Sequence, residues 1–162
     1  MAAIHAERAR SLVGVPFRPQ GRDPRLGLDC VGLCLASYGL SPDEGRRDYR
    51  LRGDHRAELQ RRLAGQFRRI GRKAGRPGDM LLLAVAADQI HLAILTKGGF
   101  VHADARLRRV VETPGEPGWP LVGIYRLRRA PPPLGCAESC RSGILGACRL
   151  AAAPSPSKLR EE

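Results

Sequence analysis

The chain has 162 residues, 43% of them hydrophobic, which is enough for one domain with a real core plus a tail. Its formal net charge of +12 is carried almost wholly by arginine, with lysine only at 73, 97 and 158. Such a balance attracts polyanions, yet the densest basic cluster (Arg68, Arg69, Arg72, Lys73, Arg76) has no interleaved aromatics and so argues against a specific nucleic-acid surface. No stretch approaches the ~18 consecutive apolar residues of a membrane helix, and the N-terminus MAAIHAERAR carries charge where a secretory signal is apolar. The expectation is a chain made in the cytoplasm and not inserted into a membrane.

In chain order, residues 3–14 predict a helix with Ala6, Ala9, Leu12 and Val13 on its apolar face, stopped by Gly14 and Pro16. The Pro- and Gly-rich stretch 16–28 predicts a loop. A second helix begins at Asp29, whose side chain suits an N-cap. The run from Cys30 to Tyr38 is apolar nearly all round, as in a buried helix, and Gly39 is placed to end it. A turn at Ser41-Pro42-Asp43 opens a polar segment. A third helix is expected over about 55–69, with Leu59, Leu63, Phe67 and Ile70 as its core stripe.

From Pro77 the period changes. Met80–Val85, Ile90–Thr96, Phe100–Ala103, Arg109–Glu112 and Leu121–Leu127 predict strands, with Lys97-Gly98-Gly99 as a tight connection and 113–118 as a loop. Helices followed by an antiparallel sheet make an α+β domain over 1–129. The Pro-, Ala- and Ser-rich remainder, 130–162, predicts a mostly disordered tail. Five cysteines, an odd number, suggest free thiols. Cys136, Cys140 and Cys148 lack a fourth ligand at suitable spacing, so no metal or other cofactor is expected.

Three short segments carry chemistry: Leu28-Asp29-Cys30-Val31-Gly32-Leu33, Ile90-His91-Leu92-Ala93-Ile94 and Phe100-Val101-His102-Ala103. A cysteine in the first turn of a helix faces unpaired N–H groups and the positive end of the macrodipole, which favour a thiolate. His91 and His102 are eleven residues apart across a short hairpin. With a loop of two or four residues they share a face, and a register pairing Ala93 with His102 makes them diagonal neighbours. Nucleophile, base and orienting group then form the three-part arrangement of covalent catalysis. Asp104 is an alternative orienting group. Cys34 predicts a core residue one turn after Cys30, His5 and His55 predict solvated side chains, and Asp79 a turn-shaping role.

The segment VGVPFRPQGRDPRLGLDCVGLCL from Val13, the segment RPGDMLLL from Arg76 and HLAILTKGGFVHADARLRRVVE from His91 together resemble an NlpC/P60 domain, in the short form coded in phage tail modules and gene transfer agents. The resemblance covers roughly residues 5–128. It implies a papain-like α+β fold, N-terminal helices packed on a C-terminal antiparallel sheet, and hydrolysis of peptide bonds in peptidoglycan stem peptides. It assigns Cys30 as nucleophile, His91 as general base, His102 as the residue orienting the base, and the Cys30 backbone N–H as one oxyanion donor. Phe17 stands where many members carry a tyrosine, Ala93 where glycine is common, and the hairpin is one residue shorter than in many relatives. Expected partners are a stem-peptide substrate and phage-tail proteins. A catalytically inactive structural component of tail assembly is the alternative.

Overall fold

The computed structural model describes residues 2–44, 56–87 and 89–128. The expected tail 130–162, with Cys136, Cys140 and Cys148, and also His55, lie outside the described residues.

Helix α1 (Ala2–Ser11) buries Ala6 and Ala9. Their small side chains let it lie close on α2 (Cys30–Tyr38). Val13, expected on the apolar face, falls in the turn after α1 and is exposed. Helix α2 behaves as its composition predicts, with Leu33, Cys34 and Tyr38 buried. It ends at Gly39, where Gly39 and Leu40 donate back to Ala36 and Leu35 as in a Schellman turn. His5 is not the solvated residue expected: its Nδ1 lies 3.3 Å from the Ser37 carbonyl and its ring 4.8 Å from that of Tyr38.

The loop 16–28 contains a two-stranded ribbon, β1 (Arg22–Asp23) with β2 (Gly27–Leu28). Helix α3 (Arg56–Gln66) is shorter than expected, because Phe67–Ile70 forms strand β3. Phe67 and Ile70 sit three apart, a helical spacing. In the strand they point to opposite faces instead, Phe67 into the core beneath the helices and Ile70 against the other face. Backbone pairing with β8 (Leu121–Leu127) outweighs the local helical pattern.

The remaining strands are β4 (Met80–Ala86), β5 (Gln89–Leu95), β6 (Gly99–Asp104) and β7 (Arg109–Pro114). The six-stranded antiparallel sheet has the order β3-β8-β4-β5-β6-β7. One face carries Met80, Leu82, Leu92, Ile94, Val101 and Val110 against α1 and α2. The opposite face buries Leu81, Leu83, Ala93, Phe100 and Ile124. Burial on both faces explains why β4 is a continuous apolar run. Each fully buried Leu or Ile here contributes about 1.5–3 kcal/mol relative to exposure.

Strand β7 runs two residues past its expected end, so Thr113 belongs to the sheet. Asp79, fully buried, accepts from the Arg76 N–H and holds Arg126 through two 2.7 Å contacts, tying the start of β4 to β8. No described helix is long and apolar enough to cross a membrane.

Candidate active site

Asp29 has extended backbone, and its Oδ1 accepts the Gly32 N–H at 2.8 Å. The same oxygen lies 2.6 Å from Arg22 Nη1, in an ion pair whose side chains are each 3% exposed. Arg22 Nη1 also donates to the Gly21 carbonyl at 2.8 Å. That carbonyl lies so close to Gly32 that a Cβ there would collide with it. The glycine of Asp-Cys-x-Gly-Leu is thus required by the close approach of a loop carbonyl to the first turn of α2.

Cys30, the first residue of α2, is partly exposed. The backbone N–H groups of Leu92 and Val31 act on its thiol in favour of the thiolate. The β5–β6 register runs from Leu95↔Phe100 to Ala93↔His102 and stops there. The N-terminus of α2 therefore meets β5 where β6 no longer pairs with it, one residue from His91.

Thr96 N–H donates to the Gly99 carbonyl at 2.8 Å, closing a two-residue turn at Lys97-Gly98. With that register His91 and His102 are diagonal neighbours on one face. His91 Nε2 and His102 Nδ1 are 3.1 Å apart, and the rings stand at 89° to one another. This leaves Nδ1 of His91 free of the imidazole pair. His102 is 3% exposed, and its Nε2 lies 3.2 Å from Thr113 Oγ1. Trp119 packs against both rings, with centroids 6.0 Å from His91 and 5.6 Å from His102. Asp104, the alternative orienting group, instead accepts the N–H groups of Arg106 and Leu107 and shapes the β6–β7 turn. Cys34 is buried in the core, as expected. Phe17 bridges to Leu28 and, like Cys30, packs partly buried against the core beneath the helices.

The electrostatics reverse one expectation. The Cys30 thiol is pushed up to about 12, first by burial and then by the Asp29 carboxylate. The Leu92 and Val31 N–H groups and Arg22 oppose this without overcoming it. His91 is pushed down to about 4, first by burial and then by the charge of His102, against the pull of Asp104 and Asp29. Burial also lowers His102, with Asp104 opposing. Burial thus favours the neutral thiol at Cys30 and the neutral imidazole at His91 over a thiolate–imidazolium pair. The cap that orders the helix puts a negative charge beside the sulfur and so works against ionisation.

Arg22, Thr113 and Trp119 escaped the sequence reading. Arg22 sits among loop residues and gives no signal of burial. Thr113 follows His102 by eleven residues, as His102 follows His91, and that meander spacing was the available clue. Trp119 is the chain's one tryptophan.

No protein-family model matches the chain, and no curated protein matches it. Solved structures do. NlpC2 from Trichomonas vaginalis matches with a TM-score of 0.59 at 18% identity, covering 79% of this chain and 47% of that one. NlpC1 from the same organism matches at 0.57 and 17% identity, over 77% of this chain and 44% of that one. The chain adopts the NlpC/P60 fold. A further NlpC/P60 family protein, from Bacillus cereus, matches at 0.54 and 19% identity, over 78% of this chain and 40% of the other. The chain thus spans less than half the length of each of these three proteins. Onto this NlpC/P60 frame the chain brings its own α2 cysteine, its β5–β6 histidine pair and the hydroxyl on β7.

Proposed function

We propose that this chain is a cysteine peptidase that hydrolyses peptide bonds in peptidoglycan stem peptides. The observation that supports this most is the placement of Cys30 at the N-terminus of α2, a helix packed on β5, the strand that bears His91, itself held at 3.1 Å by His102. The NlpC/P60 fold supports the cell-wall substrate by analogy only. Cys30 Sγ attacks the scissile carbonyl carbon while His91 Nδ1 takes the thiol proton. Because burial favours the neutral forms, attack and proton transfer are coupled. The Cys30 N–H, at the first helical position, is the candidate donor to the oxyanion. His91 then protonates the leaving amine as the C–N bond breaks, giving a thioester. Water adds to the thioester, its proton passes to His91, the C–S bond breaks, and His91 returns the proton to sulfur.

Wild type, Cys30→Ala and His91→Ala are incubated with purified muropeptides and the products weighed by mass spectrometry. The expected result is stem-peptide cleavage by wild type alone. Identical products from all three proteins, or none from any, would overturn the proposal.

The second reading is a catalytically inactive structural component of a phage-like tail; the upward push on the Cys30 thiol bears only on its inactivity, since a protonated thiol is a poor nucleophile. It predicts the chain in assembled particles with no cleavage of muropeptides. Delivery to the wall within such a particle is the corresponding route for the active reading.

A further inference from the structure

We propose that Thr113 is a positioning residue whose hydroxyl sets the proton arrangement of the His91–His102 pair. The inference rests on the peptidase reading above for its kinetic consequence, but not for its structural content. The groups form one chain: the free Nδ1 of His91, then His91 Nε2 to His102 Nδ1 at 3.1 Å, then His102 Nε2 to Thr113 Oγ1 at 3.2 Å. A neutral imidazole carries one N–H and one lone pair, so each choice dictates the next.

For His91 to accept the thiol proton at Nδ1, its own proton must be on Nε2 and be donated to His102 Nδ1. His102 Nδ1 must then be a lone pair, and the His102 proton lies on Nε2. That proton needs an acceptor, and Thr113 Oγ1 is the atom placed to receive it. If Thr113 donated instead, His102 would carry its proton on Nδ1, His91 would carry its own on Nδ1, and the base would be blocked.

Three features keep this acceptor in place. His102 is 3% exposed, and Trp119 meets both rings edge-on, so water is poorly placed to replace the hydroxyl. Thr113 lies on β7 in register with Phe100, and His102 with Val111, which makes His102 and Thr113 diagonal neighbours on one face. Opposite Pro114 stands Gly99, where a Cβ would collide with the Thr113 carbonyl, so only glycine lets β7 approach here.

The test compares wild type with Thr113→Val, which keeps the branched shape, and Thr113→Ser, which keeps the hydroxyl. Nitrogen-15 NMR of the histidine rings reads the tautomers directly, whether or not the protein cleaves anything. In wild type and Thr113→Ser both His91 and His102 are expected as the Nε2–H form. In Thr113→Val both shift toward the Nδ1–H form. On a muropeptide substrate the Val variant is expected to lose about tenfold in kcat, the equivalent of one hydrogen bond, with KM unchanged, and Ser to restore it. Wild-type His102 found with its proton on Nδ1, or tautomers unmoved by Val, would overturn the proposal even if the peptidase reading holds. If wild type proves inactive while the tautomers shift as stated, the peptidase reading fails and the role of Thr113 stands.

Discussion

Cys30 lies under opposing influences from its immediate neighbours. Helix start, Leu92 N–H, Val31 N–H and Arg22 favour the thiolate; burial and Asp29 disfavour it, and they win. Asp29 caps α2 and Arg22 compensates its buried charge, so the pair orders the nucleophile's helix at the cost of an acidic neighbour. The consequence is measurable by alkylation. The rate of Cys30 modification by iodoacetamide is expected to climb steadily through about pH 9 and beyond, in keeping with a thiol shifted upward from ~8.5. A plateau between pH 5 and 8 would show a stable thiolate–imidazolium pair and contradict the neutral resting site. Cys34, Cys136, Cys140 and Cys148 are replaced by alanine or serine in all samples so that only Cys30 is read.

Single elements show how close approaches shape the site. Gly32 and Gly65 both lie in helices, so helix propensity alone would favour alanine at each by up to about 1 kcal/mol. Their surroundings differ. A Cβ at Gly32 would strike the Gly21 carbonyl, whereas one at Gly65 meets nothing within 4 Å. Gly32→Ala is therefore expected to lower stability by about 1–3 kcal/mol through displacement of the loop 16–28 from α2. Gly65→Ala is expected to raise it by about 0.5–1 kcal/mol. Urea unfolding midpoints check both, and equal shifts at the two sites would remove the steric explanation of the Asp-Cys-x-Gly-Leu glycine. The β5–β6 hairpin was legible before the fold, but its loop length was not: the tight connection at Lys97-Gly98-Gly99 left the register open, and the structure closes the turn at Lys97-Gly98 and pairs Ala93 with His102. Strand β3 was not, because Phe67 and Ile70 carry a helical spacing that only the partner β8 overrides.

Across the whole molecule, His91, His102 and His5 are all held below 6.5, and burial is the leading cause for each. A histidine whose folded pKa is depressed binds more protons unfolded than folded below pH ~6.5. Its stabilising contribution is complete above that pH and is lost as the pH falls toward the folded pKa, about 4 for His91. His91 alone implies a loss on the order of 3 kcal/mol between pH 7.5 and 4. The urea midpoint is expected to drop across this window, and to drop less in His91→Phe. A midpoint unchanged between pH 7.5 and 4.5 would mean that the histidines are not held neutral. Loss of the paired imidazoles and loss of the fold would then occur in one pH range, because the site histidines lie within the buried layer of the sheet.

The sequence by itself determined the α+β order, the capped helix that starts at Cys30, a hairpin that brings His91 beside His102 if its loop is two or four residues long, and the burial of Cys34. These rest on local causes: a capping side chain, a turn, and the two-residue period of a strand. Only the tertiary structure decided that Arg22 neutralises Asp29, that Trp119 meets the imidazoles edge-on, that Thr113 ends their hydrogen-bond chain, and that burial and Asp29 push the thiol upward. Those depend on which distant groups share a buried space, and burial changes the sign of an argument that begins from helix position alone. Cys30 therefore keeps the place its sequence neighbours predict, while its ionisation is set by residues whose proximity no local pattern records.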